Sequence, residues 1–382
     1  MNKMPLVSVV VPTYNRYKYL KECISSMLTI QSDELEFVIQ DNTEKNDEIL
    51  SYLESIADNR IKYYHEKNHI SVVDNCDLAV KHSTGKFVCM IGDDDTICSS
   101  ILKAASFCDI YGYESCCFLF PGFNWYDMTF ESKKVEANLF FKYEANGSTD
   151  LVDAKKELLE AAKWGGCLSS RMPRLYHGLV AKKCLDRIYQ KVGTYFPGPS
   201  PDMANGTAVC LETRSTVFIS DYLIVSGYGH NSARGEGNRG QHYGKLDEKP
   251  WLPKDILQRW DKDLPAIFSA ETIIAQSMIE ALKRFKAFDY FKSFDYGKLY
   301  ARFWCHHRDA SKKMLSFCIR RPMRIVKFFL ALNKLRVERK EYFKNPVSLK
   351  NYMEFNSVKT LTEAKLITEE QCAKIKEYYS KS

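Results

Sequence analysis

The chain has 382 residues, 45% hydrophobic and 27% charged, the proportions of a globular protein with a sizeable core rather than of a fibrous or disordered chain. Its net charge of +7 is unevenly spread: residues 298–344 hold 14 Lys and Arg against 3 Asp and Glu, so basicity belongs to one segment. No apolar run reaches membrane-spanning length, residues 6–11 are too short for a secretory leader, and 13 scattered cysteines without a CxxC pair point to free thiols in a reducing cytosol.

In chain order, residues 6–11 (LVSVVV) are β-branched and apolar, the pattern of a parallel strand buried on both faces. Pro12-Thr13-Tyr14-Asn15 ends the run. Asn15 is expected to cap a helix over 16–29, whose Leu20, Cys23, Ile24, Met27 and Leu28 fall at helical spacing. The pattern then predicts a strand at 35–40 closed by Asp41-Asn42, a helix near 47–56, a strand at 61–64 and a helix at 71–82. Residues 87–91 (FVCMI) form a further short strand, which Gly92 ends before Asp93, Asp94 and Asp95. Strand and helix alternating in this way predict an α/β fold with a mainly parallel sheet and right-handed crossovers. The dinucleotide-binding glycine fingerprint is missing after the first strand, and no GxxxxGK[ST] loop occurs, which argues against NAD and P-loop chemistry.

Three adjacent carboxylates at a strand end are unfavourable unless solvent or a cation compensates them. A hard divalent cation takes one or two such carboxylates and bridges to substrate phosphates. Carboxyl ends of strands in open α/β sheets are also where ligands dock. The same residues equally suit an acidic turn capping the next helix. Taken with its neighbours, the motif carries a resemblance. Val9-Val10-Val11-Pro12-Thr13-Tyr14-Asn15-Arg16, then Asp41, then Gly85-Lys86-Phe87 leading into Gly92-Asp93-Asp94-Asp95, resemble in order and spacing a family 2 glycosyltransferase of GT-A fold. The resemblance covers roughly the first quarter of the chain.

That resemblance implies a nucleotide-sugar donor, a UDP-sugar in the first instance, a Mn2+ or Mg2+ ion at the Asp-x-Asp motif, and inversion at the anomeric carbon. It implies Asp95 as the direct metal ligand with Asp93 beside it, and Asp93 or Asp94 reaching the ribose or a metal-bound water. It also implies Asp41 accepting from the N–H of a uracil-type base, Pro12, Thr13 and Tyr14 lining the base pocket, and Asn75 matching an asparagine of the family. For Asp41 a turn or helix cap is the competing reading, and for Thr13 and Tyr14 it is turn geometry after Pro12. Asp74 stands where many relatives carry Arg, which leaves the donor's identity open.

Past the acidic motif the pattern predicts a helix at 101–110, a strand at 116–120 and an irregular charged excursion over 131–150. A helix at 151–163 ended by Gly165-Gly166, a strand at 175–181 and a short helix at 184–189 follow. Three prolines then rigidify a loop that delivers Asp202 to the start of a helix at 203–211. An inverting transferase needs one base for the acceptor hydroxyl, and a carboxylate within hydrogen-bond reach serves. Relatives in the family place an Asp at such a helix start, so Asp202 is expected to be the catalytic base, with an ordinary N-cap as the alternative. After a strand pair at 217–225, a glycine-rich loop running from Ser226 to Gly244 carries His230, Arg234 and Arg239. Arg suits bidentate phosphate contact. Arg234 is therefore expected over the diphosphate, and His230 is a candidate metal ligand as in some GT-A enzymes; a solvated loop is the alternative for both.

From Trp251 onward the pattern is helical. Residues 311–341 read as two basic amphipathic helices broken at Pro322. Such helices lie in the interface of an anionic bilayer; a solvated helical bundle and RNA binding compete, the latter opposed by the absence of a nucleic-acid module. A last short helix is expected at 369–379. The expected organisation is a transferase domain over 1–245 and a helical C-terminal region over 246–382, cytoplasmic and at the inner face of the cell membrane. The expected activity moves a sugar to a hydroxyl of a glycan or lipid-linked saccharide in surface polysaccharide synthesis. A nucleotidyltransferase, whose usual basic glycine-rich loop is missing, and a non-catalytic nucleotide- or carbohydrate-binding scaffold are the alternatives.

Overall fold

The computed structural model of the protein describes residues 4–130, 133–239, 242–307, 311–319, 322–344 and 352–375. The four apolar runs form parallel strands Val7–Thr13, Leu35–Asp41, Ile61–His65 and Phe87–Met90, joined by helices Tyr17–Leu28, Asp47–Ile56 and Val72–Lys81. Strand Val7–Thr13 is central, with Leu35–Asp41 on one side and Phe87–Met90 on the other. Its alternate residues fill two cores. Val7, Val9 and Val11 pack with Leu20, Ile24 and Met27 of the first helix, while Val10 packs with Val38, Val80 and Val88 on the opposite face. Burial on both faces is why these strands show no polar alternation.

The sheet continues beyond Phe87–Met90 through the antiparallel Leu179–Ala181, then Ser115–Leu119, Thr216–Tyr222 and the edge strand Thr149–Val152, eight strands in all. A second sheet of five strands, among them Gly122–Asn124, Ile224–Tyr228 and Thr96–Ile97, lies beside the acidic turn. The expected mixed α/β fold with C-terminal helices is what the chain adopts.

Several local expectations give way. Asn15 does not cap the first helix: it adopts φ 54°, its N–H donates to Thr43 Oγ1, and Arg16 takes the cap position. Left-handed backbone is readily adopted by Asn, and here it turns the chain so that Arg16 faces the acidic motif. The span 131–150 is less irregular than its charge suggests, because the apolar Asn138–Phe141 is a buried strand and Thr149–Val152 is an edge strand. Consequently the following helix starts at Ala154, capped by Asp153. Only Leu179–Ala181 of the expected strand 175–181 pairs as a strand, since His177 at φ 53° breaks the extended run.

In the C-terminal third, helices Ala270–Arg284, Tyr296–His306 and Pro322–Lys344 share a core of Met278, Leu282, Leu299, Phe303 and Phe328. Pro322 starts a helix, as the break predicts. The chain then returns to its beginning. Strand Met353–Asn356 pairs antiparallel with Asn138–Phe141. Helix Leu361–Ala373, opened by a Thr360–Glu363 capping box, packs on the first helix and buries Lys365 against Thr29 Oγ1 and Glu369. This helix starts eight residues before the expected 369, and Val358, Leu361 and Ala364 join the N-terminal core. A boundary at 245/246 therefore does not divide the packing into two parts. No described helix is long and apolar enough to cross a membrane.

Candidate functional site

Parallel pairing in register places the last residues of the first two strands, Thr13 and Asp41, side by side. The turn after the fourth strand meets them there. Thr13 Oγ1 donates to Asp93 Oδ2 at 2.6 Å. Arg16, at the first helix's cap position, sets its Nε 3.1 Å from Asp93 Oδ1 and its Nη2 2.8 Å from Asp94 Oδ2. The N–H of Gly229 also donates to Asp94 Oδ2. Asp95 has a different set of partners. Gly227 N–H donates to Oδ1, while Gly92 N–H, Tyr176 Oη and His177 Nε2 converge on Oδ2, the last at 2.6 Å.

All three carboxylates are buried. Burial pushes Asp93 and Asp94 above the usual carboxylate range, and Arg16 pulls both back. Burial works against the Arg16 charge too, but Asp93 and Asp94 raise its pKa on balance. A guanidinium stays charged in proteins, so Arg16 keeps a positive charge beside both carboxyls.

Whether a divalent cation fits turns on spare lone pairs. Asp95, expected to be the direct ligand, is 0% exposed and accepts from four protein donors, Gly227 N–H on Oδ1 and three on Oδ2, so burial and these donors leave it poorly placed for that role. Asp93 Oδ1 does fit: it is buried, faces Arg16 as a charge and accepts no aligned hydrogen bond. Arg16 Nε and Nη2 are likewise buried without aligned partners. Among the described residues no group of three His, Cys, Asp or Glu side chains is arranged to enclose a metal ion; a site of one or two carboxylates would need substrate phosphates to complete the shell.

The remaining expected residues divide. Tyr14 is half exposed beside His69, with ring centroids 5.4 Å apart, and Pro12 lies near the end of strand Val7–Thr13, two residues before it. Asn75 Nδ2 donates to the carbonyls of Thr13 and Gln40, while its Oδ1 is buried and unpartnered. Asp41 is not a free acceptor: buried, it takes hydrogen bonds from Thr43 N–H, Tyr17 Oη and Tyr63 Oη, which fits the turn-organising reading better than contact with a base. His230 stands on the rim. Its Nδ1 is 3.4 Å from Thr129 Oγ1, its N–H donates to Tyr19 Oη, and it touches none of the three carboxylates. The side chain of Arg234 lies outside the described residues.

Asp202 is the second residue of helix Pro201–Glu212, with Pro201 at the first position, where a missing N–H costs nothing. It is half-buried, and it is not the cap: Ser200 takes that position. Among the described residues no hydrogen bond or ion pair engages its carboxylate. Burial raises its pKa against the opposing charges of Arg174 and His177, and Asp95 adds to the rise. A partly accessible carboxylate that is unpartnered and reluctant to ionise, within electrostatic reach of the acidic turn, can take a proton.

Sequence reasoning missed Arg16, Arg174, His177 and the amides of Gly227 and Gly229 as parts of this site. Gly227 is needed for close approach: a Cβ there would lie 1.7 Å from the Asp94 carbonyl oxygen. Gly227→Ala is therefore expected to force strand Ile224–Tyr228 off the acidic turn and cost about 1–3 kcal/mol. Calorimetry should show the lowered melting temperature; an unchanged one would mean that the turn is not docked against this strand.

Residues 8–147 match the family described as Glycosyl transferase family 2. The chain is 29% identical over 100 residues to Glycosyltransferase GlyG of Streptococcus pneumoniae, a match covering 26% of this chain and 33% of that protein. It is 31% identical over 103 residues to the GalNAc(5)-diNAcBac-PP-undecaprenol beta-1,3-glucosyltransferase of Campylobacter jejuni, again 26% of this chain and 33% of the relative. The match thus spans about a third of the length of these relatives. Among solved structures, S. aureus TarS 1-349 in complex with UDP-GlcNAc is similar at 17% identity and a TM-score of 0.45, over 87% of this chain and 92% of that one.

Proposed function

We propose, for a chain whose residues 8–147 match glycosyl transferase family 2, that the protein is an inverting glycosyltransferase. It moves a sugar from a nucleotide-diphosphate donor, a UDP-sugar in the first instance, to a hydroxyl of a glycan or lipid-linked saccharide in surface polysaccharide synthesis. The observation that carries this reading is Asp202: an unpartnered carboxylate at a helix start, whose pKa is raised by burial and further by the charge of Asp95 at the acidic strand end. Asp202 takes the proton of the acceptor hydroxyl as its oxygen attacks the anomeric carbon from the face opposite the diphosphate. Tyr14, half exposed at the strand end, offers a ring face to the base. Arg16 and the Gly227 and Gly229 amides keep the acidic turn rigid, so little reorganisation accompanies bond cleavage. Asp93 is the residue that would hold Mn2+ or Mg2+, and that ion, when bound, neutralises charge on the departing diphosphate.

The Campylobacter relative's name specifies a lipid-linked acceptor, which supports the same class here and a position at the inner face of the cell membrane. Helix Pro322–Lys344 adds support. Met323, Val326, Phe329 and Leu330 are exposed on it, interleaved with Lys327 and Lys334, the combination that binds anionic interfaces. Full-length protein is expected to float with phosphatidylglycerol liposomes and not with phosphatidylcholine ones, and Phe329→Glu with Leu330→Glu should abolish flotation. Equal flotation of both proteins would sink the membrane contact.

The activity itself is tested by thermal shift against a panel of nucleotide sugars with and without Mn2+. A donor at 100 times its Kd adds about 2.7 kcal/mol of stability through mass action, a rise of several degrees for one member of the panel. If no nucleotide sugar stabilises the protein under either condition, the transferase reading fails.

A further inference from the structure

Beside the acidic turn lies a cavity of about 180 Å3, whose walls include Phe118, Phe120, Lys142, Arg174, His177 and Tyr228. His177 links it to the site: its Nε2 meets Asp95 Oδ2, while its ring stacks on Tyr176 at 4.0 Å and meets Phe120 edge-on at 4.9 Å. Its φ of 53° is a left-handed conformation that costs energy for a residue other than glycine. Such strain persists where the surroundings over-determine it, often at ligand sites. Here the His177 N–H is tied to the Met90 carbonyl.

Arg174 supplies the chemistry. Its Nη1 donates to the carbonyls of Ser169 and Met172. Among the described residues no carboxylate stands within ion-pair distance of it, and its Nε and Nη2 donors remain for a ligand. Its charge is the leading one that opposes burial at Asp202, so the guanidinium on the cavity wall lies within electrostatic reach of the expected base. The other charges nearby are accounted for: Arg171 pairs with Asp150, Glu157 accepts from Ser169 Oγ, and Lys142 stands exposed at the rim. A guanidinium fork with free donors recognises phosphate or carboxylate in bidentate fashion. Aromatic walls with a few placed polar groups are the usual lining of a ligand site. The volume is below the ~300–1,000 Å3 of pockets that enclose a whole drug-sized ligand, so it suits one residue of a longer chain.

We propose that this cavity is the acceptor subsite and that it selects a saccharide carrying an anionic group, phosphate or carboxylate, held by Arg174 with the sugar ring against Phe120 and Tyr228. The proposal rests on the transferase reading and adds the acceptor's chemical class to it. The anionic group on Arg174 turns a neighbouring hydroxyl of the same residue toward Asp202.

Isothermal titration of the full chain, with UDP present, tests it with four probes: methyl α-glucoside 6-phosphate, methyl β-glucuronide, neutral methyl α-glucoside and inorganic phosphate. At least one anionic glycoside is expected to bind tenfold or more tightly than the neutral one, and which of the two does so separates phosphate from carboxylate recognition. Arg174→Met should erase the preference, and Arg174→Lys, which keeps the charge but not the fork, should retain part of it. Ser170→Glu, at an exposed position on the cavity wall, should weaken the anionic glycoside at least tenfold more than the neutral one, even where Arg174 variants fail to fold. Equal binding of neutral and anionic glycosides, or an unaffected Ser170→Glu protein, overturns the proposal. So does inorganic phosphate binding as tightly as the phosphorylated sugar, since that shows anion binding without a saccharide site. UDP binding measured in parallel keeps the two claims apart: a chain that binds UDP but shows no anionic preference loses only the acceptor class, and one that binds no UDP loses the transferase reading.

Discussion

Asp202→Asn is expected to lower sugar transfer by about 10²–10⁴-fold, the usual contribution of a positioned general base, and at the same time to make the protein more stable at neutral pH. The two effects share one cause. Burial raises the folded-state pKa of Asp202 above that of an unfolded Asp. A carboxyl shifted upward stabilises the fold while it is protonated, below the unfolded pKa, and that contribution is lost as pH rises through the folded pKa. Above that folded-state pKa the ionised Asp202 is therefore a net cost, one that the isosteric amide removes. Melting temperatures of the two proteins should converge toward pH 3 and separate toward pH 7, with the Asn variant higher. The acid limb of the pH–rate profile should lie above the range of a solvent-exposed Asp. Nucleotide affinity should persist, because Asp202 makes none of the contacts around Thr13, Asp93 and Asp94. Transfer that survives the substitution would place the base elsewhere; transfer lost together with stability would make Asp202 structural. An active site that is destabilised by the group it needs is the usual form of the trade-off between stability and activity.

What could be read from the chain is what local physics writes into it. The apolar β-branched runs and helical spacings of the first hundred residues set strands and helices close to where they stand, and parallel order then brings Thr13, Asp41 and the acidic turn to one edge. Asp202 was reachable for a similar reason, since a proline-rich loop before an apolar helix announces a helix start. The partners of these residues were not legible. Arg16 adjoins the motif in sequence, but its contact with Asp93 and Asp94 depends on the left-handed turn at Asn15. His177 sits in a stretch whose composition reads as strand, and only its positive φ turns it toward Asp95. Gly227 and Gly229 act through backbone N–H groups, which no side-chain pattern marks. The return of residues 353–373 to the first helix and to strand Asn138–Phe141 is a pairing across more than 200 residues, which spacing within a window cannot show.

The largest stability effect is expected from Arg16→Met. Most surface ion pairs contribute less than about 1 kcal/mol, but Asp93 and Asp94 are buried and Arg16 is only 21% exposed. Methionine fills similar space and leaves two adjacent carboxylates without their cation, a change that costs about 3–5 kcal/mol when one partner of a buried pair is removed. Arg16→Lys should cost less, because the charge remains while the fork that reaches both carboxylates at once is lost. The same substitution reports on the divalent cation independently of catalysis. Asp93 Oδ1 is the oxygen with capacity to spare, and without Arg16 a divalent ion becomes the natural compensating charge. Mn2+ at 100 times its Kd should then restore about 2.7 kcal/mol to the Met variant, a larger rise in melting temperature than it produces in the parent protein, where Arg16 already holds the site. Equal shifts in the two proteins would mean that the ion binds away from Asp93. A Met variant that melts like the parent, with no ion added, would mean that the acidic turn is compensated by solvent rather than by Arg16.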